Sequence, residues 1–143
     1  MLISTKGRYA LRVMIDLAEQ QTDGYVPLKE IAERQNISEK YLEIIMKLLV
    51  KANVLKGLRG KGGGYKLMQH PEEYTIGTIL RLTEETLAPV SCLVPGAAPC
   101  EKAAECRTLN MWRGLDKAIN EHLDSVTIAD LLRPGEGSSN CVI

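Results

Sequence analysis

Aromatic side chains are scarce in this sequence, and phenylalanine is absent altogether. Of the 143 residues only 4% are aromatic, whereas 45% are apolar. A chain with this apolar share can bury a hydrophobic core, which excludes an intrinsically disordered protein. The core must therefore be built mainly from Leu, Ile, Val, Met and Ala, a composition common in small helical proteins.

The chain also lacks a net charge, because 18 Lys and Arg residues balance 18 Asp and Glu residues. This balance argues against a nonspecific polycation but leaves DNA binding open, since that depends on how charge is distributed over the surface. Between positions 47 and 66 all charged residues are basic, namely Lys47, Lys51, Lys56, Arg59, Lys61 and Lys66. This stretch predicts a basic surface on an otherwise neutral protein.

No apolar run is long enough to span a membrane, and the N-terminal residues lack the apolar segment of a signal peptide. We therefore expect a cytoplasmic protein without membrane contact, in a compartment where thiols stay reduced. Cys141 is the third residue from the end of the sequence, whereas a prenylation signal needs a cysteine in the fourth position. We therefore interpret Cys141 as a thiol that takes no part in the chemistry of the other three cysteines.

Three helices are predicted in the first third of the chain. Apolar residues recur at helical spacing from about Ser4 to Gln20, and a second, short helix follows Pro27 and runs to Gln35. Residues 36–38 form a tight turn, and Ser38 can cap the third helix by accepting a backbone N–H. That helix has one apolar face, made of Leu42, Ile45, Met46 and Leu49.

A basic hairpin follows these helices, because segments 54–58 and 65–68 flank a Gly-rich loop at 59–64. Two short helices joined by a tight turn and followed by such a hairpin predict a winged helix-turn-helix, whose second helix enters the major groove of DNA. The loop could instead bind a nucleotide. However, it matches neither the dinucleotide fingerprint nor the P-loop, and a strand follows it where a helix is required.

The candidate DNA contacts lie on the second helix of this unit and on the wing. Glu43 can accept a hydrogen bond from a cytosine amino group, and Ile44 can touch a thymine methyl group. The alternative is that Lys40 and Glu43 are ordinary solvated residues. The candidate set is Ser38, Lys40, Tyr41, Glu43, Ile44, Lys47, Arg59 and Lys61.

Three cysteines fall in or beside one loop in the second half of the chain. Cys92, Cys100 and Cys106 are separated by seven and then five residues. Structural zinc usually uses tighter pairs and four ligands, whereas wider spacing suits an inorganic cluster. The alternative is three unrelated thiols. His70 and His122 are isolated, and the sequence contains no recognisable catalytic set, so no enzyme is predicted.

Around this loop we predict a helix over about 76–85 and a long amphipathic helix from about Thr108 to Leu123. The apolar stripe predicted for the long helix contains Met111, Trp112, Leu115, Ala118, Ile119, His122 and Leu123. Capping-box spacing at residues 127–130 opens a last short helix, and a flexible tail is expected from Arg133 onward.

In several stretches the sequence resembles the IscR/NsrR-type regulators, the Rrf2 family, with IscR-type members nearest. The resemblance extends to about Leu132, and its most specific element is the wing motif Arg-Gly-x-Gly-Gly-Gly-Tyr at 59–65 together with the cysteine triplet. The other matching stretches are 6–12, 31–32, 37–38, 41–43, Trp112 and 127–131.

The resemblance implies a winged helix-turn-helix transcription regulator that forms a homodimer through the long helix. It implies an iron–sulfur cluster on Cys92, Cys100 and Cys106, and control of genes for cluster biogenesis, iron, redox or nitrosative stress. Ser38, Tyr41 and Glu43 would lie in the major groove, and Arg59 in the minor groove. The implied regions are a DNA-binding domain (1–86), a cluster-binding loop (87–107), a dimerisation helix with a short C-terminal helix (108–132) and a flexible tail (133–143).

The fourth cluster ligand is where the chain departs from the family. IscR-type members have a histidine three residues after the last cysteine, where this chain has Leu109. NsrR-type members that hold a 4Fe–4S cluster can use an aspartate near the N-terminus of the partner chain, where this chain has Arg8. Overall similarity favours a 2Fe–2S cluster, and 4Fe–4S stays possible. Glu101, Glu105 and Asn110 are oxygen donors close in sequence.

A partner-chain residue, water or a small thiol could also supply the fourth ligand. Two other functions remain open. A cluster-free regulator of the same fold would be controlled by a protein partner, as in cysteine metabolism. An electron-transfer protein would use the same cluster, but the basic wing argues against it. A cluster-donor protein is a further possible partner.

Overall fold

The structure is a computed structural model that describes residues 2–20 and 23–132. The predicted flexible tail and Cys141 lie outside the described residues. The helices and strands are α1 Thr5–Gln20, α2 Leu28–Gln35, α3 Glu39–Lys51, β1 Leu55–Leu58, β2 Gly64–Leu67, α4 Ile76–Thr83, α5 Leu109–Ser125 and α6 Ile128–Leu131. Short 3₁₀ turns occupy Pro71–Glu73 and Ser91–Leu93. The predicted fold class, mainly α with a small hairpin and one long helix, is confirmed.

Local signals explain why α2 and α3 form a helix-turn-helix. Asn36 ends α2 in the left-handed conformation, with φ of 54°, and its backbone N–H donates to the carbonyl of Ala32. Two residues later the Ser38 side chain accepts a hydrogen bond from the backbone N–H of Tyr41 over 3.2 Å and caps α3. The turn therefore has the length that the sequence predicted.

The core lies where α1, α3 and α4 meet and contains almost no aromatic side chain. The fully buried residues are Ala10, Val13, Met14, Ile31, Leu42, Ile45, Met46, Leu49, Ile79 and Ile128. The predicted apolar face of α3 is thus buried in full. Leu28, which the periodicity of α2 also places in the core, is only half-buried because it lies in the first turn beside the wing.

A buried acidic residue fixes α2 against α1. Asp16 is 1% exposed, and its carboxylate accepts two hydrogen bonds from the guanidinium of Arg34, over 2.8 and 3.0 Å. The side-chain amide of Gln35 donates a third, over 2.9 Å. Because both carboxylate oxygens accept hydrogen bonds and a cation lies beside them, the buried charge is compensated and α2 is oriented against α1.

The hairpin pairs β1 with β2 in antiparallel register, from Leu55 opposite Leu67 to Leu58 opposite Gly64. Val26, just before α2, exchanges two backbone hydrogen bonds with Tyr65, over 2.8 and 2.9 Å. The wing is therefore attached to the helix-turn-helix by a third, minimal strand contact.

The helix α4 ends at Thr83, two residues earlier than the periodicity predicted. Glu84 has extended backbone angles, and its carboxylate accepts hydrogen bonds from the backbone N–H and the hydroxyl of Ser4, over 2.5 and 2.6 Å. This contact between the end of α4 and the start of α1 spans 80 positions in sequence, so local periodicity could not have predicted it.

Acid should weaken this contact. Burial alone would raise the pKa of Glu84, but the hydrogen bonds from Ser4 and Thr83 outweigh it and lower the pKa below the ordinary value of a glutamate. A lowered pKa in the folded state stabilises the protein above the unfolded-state pKa, and this stabilisation is lost as the pH falls through the lowered folded-state pKa. In urea unfolding, Glu84→Gln should be less stable than the parent at pH 7, and the gap should narrow progressively in acid. A gap of constant size would contradict the prediction.

The last two helices differ in how they pack. Thr127 and Asp130 form the predicted capping box at the start of α6, and the side chain of Ile128 is fully buried in the core. The N–H of Ile128 donates to the carbonyl of Tyr74, and the N–H of Ile76 donates to the carbonyl of Val126, both over 2.9 Å. In α5, by contrast, no residue is buried.

Candidate nucleic-acid interface and cysteine loop

The outer face of α3 presents most of the predicted base-reading residues to solvent. Lys40, Glu43, Ile44 and Lys47 are exposed, and the side chain of Ile44, an apolar residue, is 50% exposed. An apolar side chain held in water has the chemistry that contacts a thymine methyl group. The structure therefore brings these four candidates onto one face, as the helical spacing predicted.

Ser38 and Tyr41 are more constrained than the other candidates. The Ser38 oxygen accepts the capping hydrogen bond, which leaves its hydroxyl proton available to a DNA acceptor. The ring of Tyr41 is half-buried and packs edge-on against Tyr9 of α1, with centroids 5.8 Å apart and planes at 82°. Arg12 lies over the other ring, 5.0 Å from the centroid of Tyr9. Tyr41 thus anchors the N-terminal half of α3 to α1.

A cleft separates α3 from the wing. Its volume is about 620 Å³, and Lys47, Lys51 and Arg59 line it together with residues of both wing strands. Cations on both sides of an open cleft suit a DNA phosphate backbone, which carries one charge per phosphate. Lys51 was counted in the basic stretch but was missed as a DNA contact. Its spacing of four residues from Lys47 was the available signal.

The tip of the wing is narrow because glycine conformations shape it. Gly60 and Gly62, on either side of Lys61, have φ of 90° and 78°, which other residues rarely adopt. The N–H of Gly63 closes the turn on the carbonyl of Gly60 over 3.0 Å. Arg59 and Lys61 are exposed on this small tip, as predicted.

Glu43 should control which sequence is bound more than how tightly DNA is bound. A carboxylate repels phosphates unless a cytosine amino group compensates for it, so Glu43→Ala should reduce discrimination at one base pair per half-site by about 1–3 kcal/mol. Selection from a random duplex pool measures this preference. Glu33→Ala, which removes an exposed carboxylate from α2, is the control. An unchanged preference in Glu43→Ala would mean that Glu43 is only a solvated residue.

The three cysteines lie in the irregular segment between α4 and α5. Cys92 is in the 3₁₀ turn Ser91–Leu93, Cys100 begins a series of turns, and Cys106 precedes α5. All three thiols are free and exposed. Exposed thiols in a turn-rich segment are accessible and adaptable donors, so the chemistry of this set fits an iron–sulfur cluster.

Hydrogen-bond donors surround the thiol of Cys106. The Thr108 hydroxyl lies 3.5 Å from Sγ, and the backbone N–H groups of Thr108 and Leu109 also face the sulfur. These donors lower the pKa of Cys106 below the ordinary value of a thiol. Thiolate is the form that binds iron. Sequence reasoning did not identify Thr108 as a supporting residue, although its place at the start of the long helix was predicted.

The thiols are not gathered at one point. Among residues 2–20 and 23–132, no three Cys, His, Asp or Glu side chains converge as a metal-binding group. Glu101, Glu105 and Asn110, considered above as fourth ligands, are exposed on the same segment and the first turn of α5. A bound cluster would therefore require the segment to close around it.

One face of α5 carries apolar residues that nothing in the described chain covers. Met111 is 52% exposed and Leu115 is 41% exposed, and Ala118 and His122 continue the same face at helical spacing. The other predicted members of the stripe, Trp112, Ile119 and Leu123, are half-buried. Such a row on a long helix has the pattern of a helix–helix interface.

None of the helices in the described part of the chain is both long and apolar enough to cross a membrane. The exposed features described so far are the recognition helix α3, the basic cleft, the cysteine segment and the apolar face of α5.

Comparison with known proteins identifies the family of the chain. The family model of Rrf2, described as an iron-dependent transcriptional regulator, matches residues 3–134. The HTH-type transcriptional regulator IscR of Aliivibrio salmonicida is 36% identical over 136 residues, which cover 95% of this chain and 80% of that protein.

Two solved structures extend the similarity to the fold. T. potens IscR is 38% identical with a TM-score of 0.74, covering 96% of this chain and 90% of that one. CymR, the global cysteine regulator of B. subtilis, is also 38% identical with a TM-score of 0.74, covering 92% and 96%. Because the family match spans nearly the whole chain and the winged helix-turn-helix is present, this protein belongs to the Rrf2 family of transcription regulators and is not an enzyme.

Proposed function

We propose that the protein is a cytoplasmic, homodimeric repressor or dual regulator that senses an iron–sulfur cluster bound by Cys92, Cys100 and Cys106. Its targets would be genes for cluster biogenesis or for the response to iron, redox or nitrosative stress. The observation that carries the proposal is that three exposed thiols occupy the one segment joining α4 of the DNA-binding unit to α5.

The proposed cluster is 2Fe–2S, with 4Fe–4S as the second choice. Three thiolates hold it, and Glu101, Glu105 or Asn110 is proposed as the weaker fourth ligand. Loss or oxidation of the bound cluster would change the ligation of all three cysteines together. The cysteine loop would then adopt a different conformation next to α5.

The homodimer is proposed to form through the uncovered face of α5, centred on Met111 and Leu115. Two recognition helices related by a two-fold axis would then meet successive turns of a palindromic DNA site. The proposed DNA contacts are Ser38, Lys40, Tyr41, Glu43, Ile44, Lys47, Arg59 and Lys61, to which the cleft adds Lys51.

The cysteines should act as a set. Protein purified without oxygen should contain iron and sulfide and absorb visible light, and replacing any one of Cys92, Cys100 or Cys106 with Ala should abolish or greatly reduce both. Cys141→Ala is the matched control and should leave the spectrum unchanged. The proposal fails if all three single variants retain a full cluster complement or if Cys141→Ala removes it.

A second candidate function is a cluster-free regulator that receives its signal from a protein partner. Two observations favour it: the thiols are not gathered within the described residues, and the chain is as similar to the cysteine regulator CymR as to T. potens IscR. Colourless anaerobic protein, without iron after reconstitution, would select this function.

A further inference from the structure

A three-part polar contact holds α5 against α4. The two terminal nitrogens of the Arg81 guanidinium donate to the two oxygens of Asp124, over 2.7 and 3.0 Å, and one of them also donates to the Oδ1 of Asn120 over 2.8 Å. A planar guanidinium that binds a carboxylate with both nitrogens restricts orientation as well as distance. The contact therefore restricts how the two helices can be placed along each other.

The backbone of α4 is adapted to this contact. Gly77 lies one turn before Arg81, and a Cβ atom at its position would stand 2.1 Å from the Oδ1 of Asp124 and 2.9 Å from the Nη1 of Arg81. Any side chain there would push the carboxylate away. The ion pair is thus part of the packing between two helices, although both side chains remain partly exposed.

The cysteine segment lies directly beside this contact. A cavity of about 240 Å³ is lined by Arg81 and Asn120 on one side and by Leu93, Val94 and Pro95 on the other. Leu93 shares the 3₁₀ turn of Cys92 and follows it immediately in sequence. A change in the conformation of this turn therefore alters the surroundings of the Arg81 guanidinium.

The C-terminal end of α4, which also carries Arg81, is connected to the recognition helix α3 through α1. Glu84, the first residue after α4, binds Ser4 before α1, and Tyr9 of α1 packs against Tyr41 of α3 at 5.8 Å between ring centroids. The elements from α4 to the DNA-binding face are therefore joined by named contacts, and the cysteine turn faces Arg81 across the cavity that both line.

We propose that Arg81 is a positioning residue that couples the conformation of the Cys92 turn to the DNA-binding unit through Asp124 and Asn120. The signal that would move the turn, a cluster, rests on the proposed function, but the coupling itself is a property of the protein without a cluster. When the turn moves, the Arg81 contact and with it the position of α4 change, and the recognition helix follows through α1.

Reciprocity allows a test that needs no cluster. If the turn biases DNA binding, DNA must bias the turn by the same factor. In the full chain with Cys92 as the sole cysteine (Cys100, Cys106 and Cys141 replaced by Ser), the rate of Cys92 alkylation should change about fivefold when a duplex selected from a random pool is bound. In the same single-cysteine background, the Arg81→Gln variant should be alkylated at Cys92 at the same rate with and without bound duplex.

Further variants separate coupling from folding. Gly77→Ala displaces the Asp124 carboxylate without removing a charge and should also abolish the effect of DNA on the Cys92 alkylation rate. Arg81→Lys keeps the positive charge and should retain part of the effect that Arg81→Gln loses. Lys117→Gln breaks an exposed pair with Glu121, 3.7 Å apart on α5, and should retain the full effect. Thermal unfolding and DNA affinity, measured on every variant, identify those that are folded and bind the duplex.

The proposed coupling is wrong if bound DNA leaves the alkylation rate of Cys92 unchanged in the single-cysteine protein that retains Arg81. It is also overturned if Arg81→Gln and Gly77→Ala, folded and saturated with duplex, keep the DNA effect, because DNA would then shield Cys92 directly. Absence of iron from the parent protein would refute the proposed cluster and leave this measurement unaffected, since the single-cysteine chain is studied without a cluster.

Discussion

The affinity for DNA should fall about a thousandfold between about 50 and 200 mM salt. Lys47, Lys51 and Arg59 line the cleft between α3 and the wing, and a homodimer presents this cleft twice. If each of these six cations neutralises one phosphate, the log–log slope is about −5, because each contributes about −0.9. Fluorescence anisotropy of a labelled duplex across this salt range measures the slope.

Single substitutions should show how much each cation contributes to this slope. Lys51→Gln removes one cation from each copy and should make the slope shallower by about 1.8. Lys117→Gln removes a cation of the same kind from α5, away from the cleft, and should leave the slope as it is. A slope near zero for the parent protein would contradict binding by the winged helix-turn-helix, and an unchanged slope in Lys51→Gln would remove Lys51 from the interface.

Arg34→Met should lower the free energy of unfolding by about 3 kcal/mol or more. The Asp16 side chain is 2% exposed, so the substitution leaves a carboxylate buried without its cation. The remaining hydrogen bond from Gln35 compensates only part of the charge. Since whole domains are stable by about 5–15 kcal/mol, urea unfolding should show a large shift of the midpoint.

The same arginine offers a control for this effect. Its second partner, Glu30, is 3.7 Å away and 57% exposed, so Glu30→Gln should cost less than about 1 kcal/mol. Replacing both Asp16 and Arg34 with apolar residues should recover much of the loss, because no unpaired charge then remains buried. Equal costs for Arg34→Met and Glu30→Gln would mean that the Asp16 contact does not hold α2 in place.

The best-predicted elements are those whose ends carry local signals. The sequence predicted α2 up to Gln35 and the cap of α3 at Ser38 because Pro, Asn and Ser have conformational preferences that act within a few residues. The end of α4 was predicted too late, because the carboxylate of Glu84 is held by Ser4, far away in sequence. Periodicity has no information about such a partner.

The candidate DNA site likewise combines features that the sequence predicts with features that only the fold reveals. The exposed face of α3 follows from helical spacing, so Lys40, Glu43, Ile44 and Lys47 were found together. The cleft that adds Lys51 lies between α3 and a wing that the pairing of Tyr65 with Val26 attaches beside α2. A strand contact between distant segments cannot be read from either segment alone.

By itself, the sequence determined the helical class, the helix-turn-helix with its wing and the three thiols of one loop, because these follow from hydrophobic periodicity, capping residues and glycine conformations within short stretches. Only the tertiary structure decided that α6 returns to the core through Ile128, and that Arg81 meets Asp124 and Asn120 beside the cysteine turn. These contacts join residues about 40 or more positions apart, and their geometry depends on the packing of every element between them.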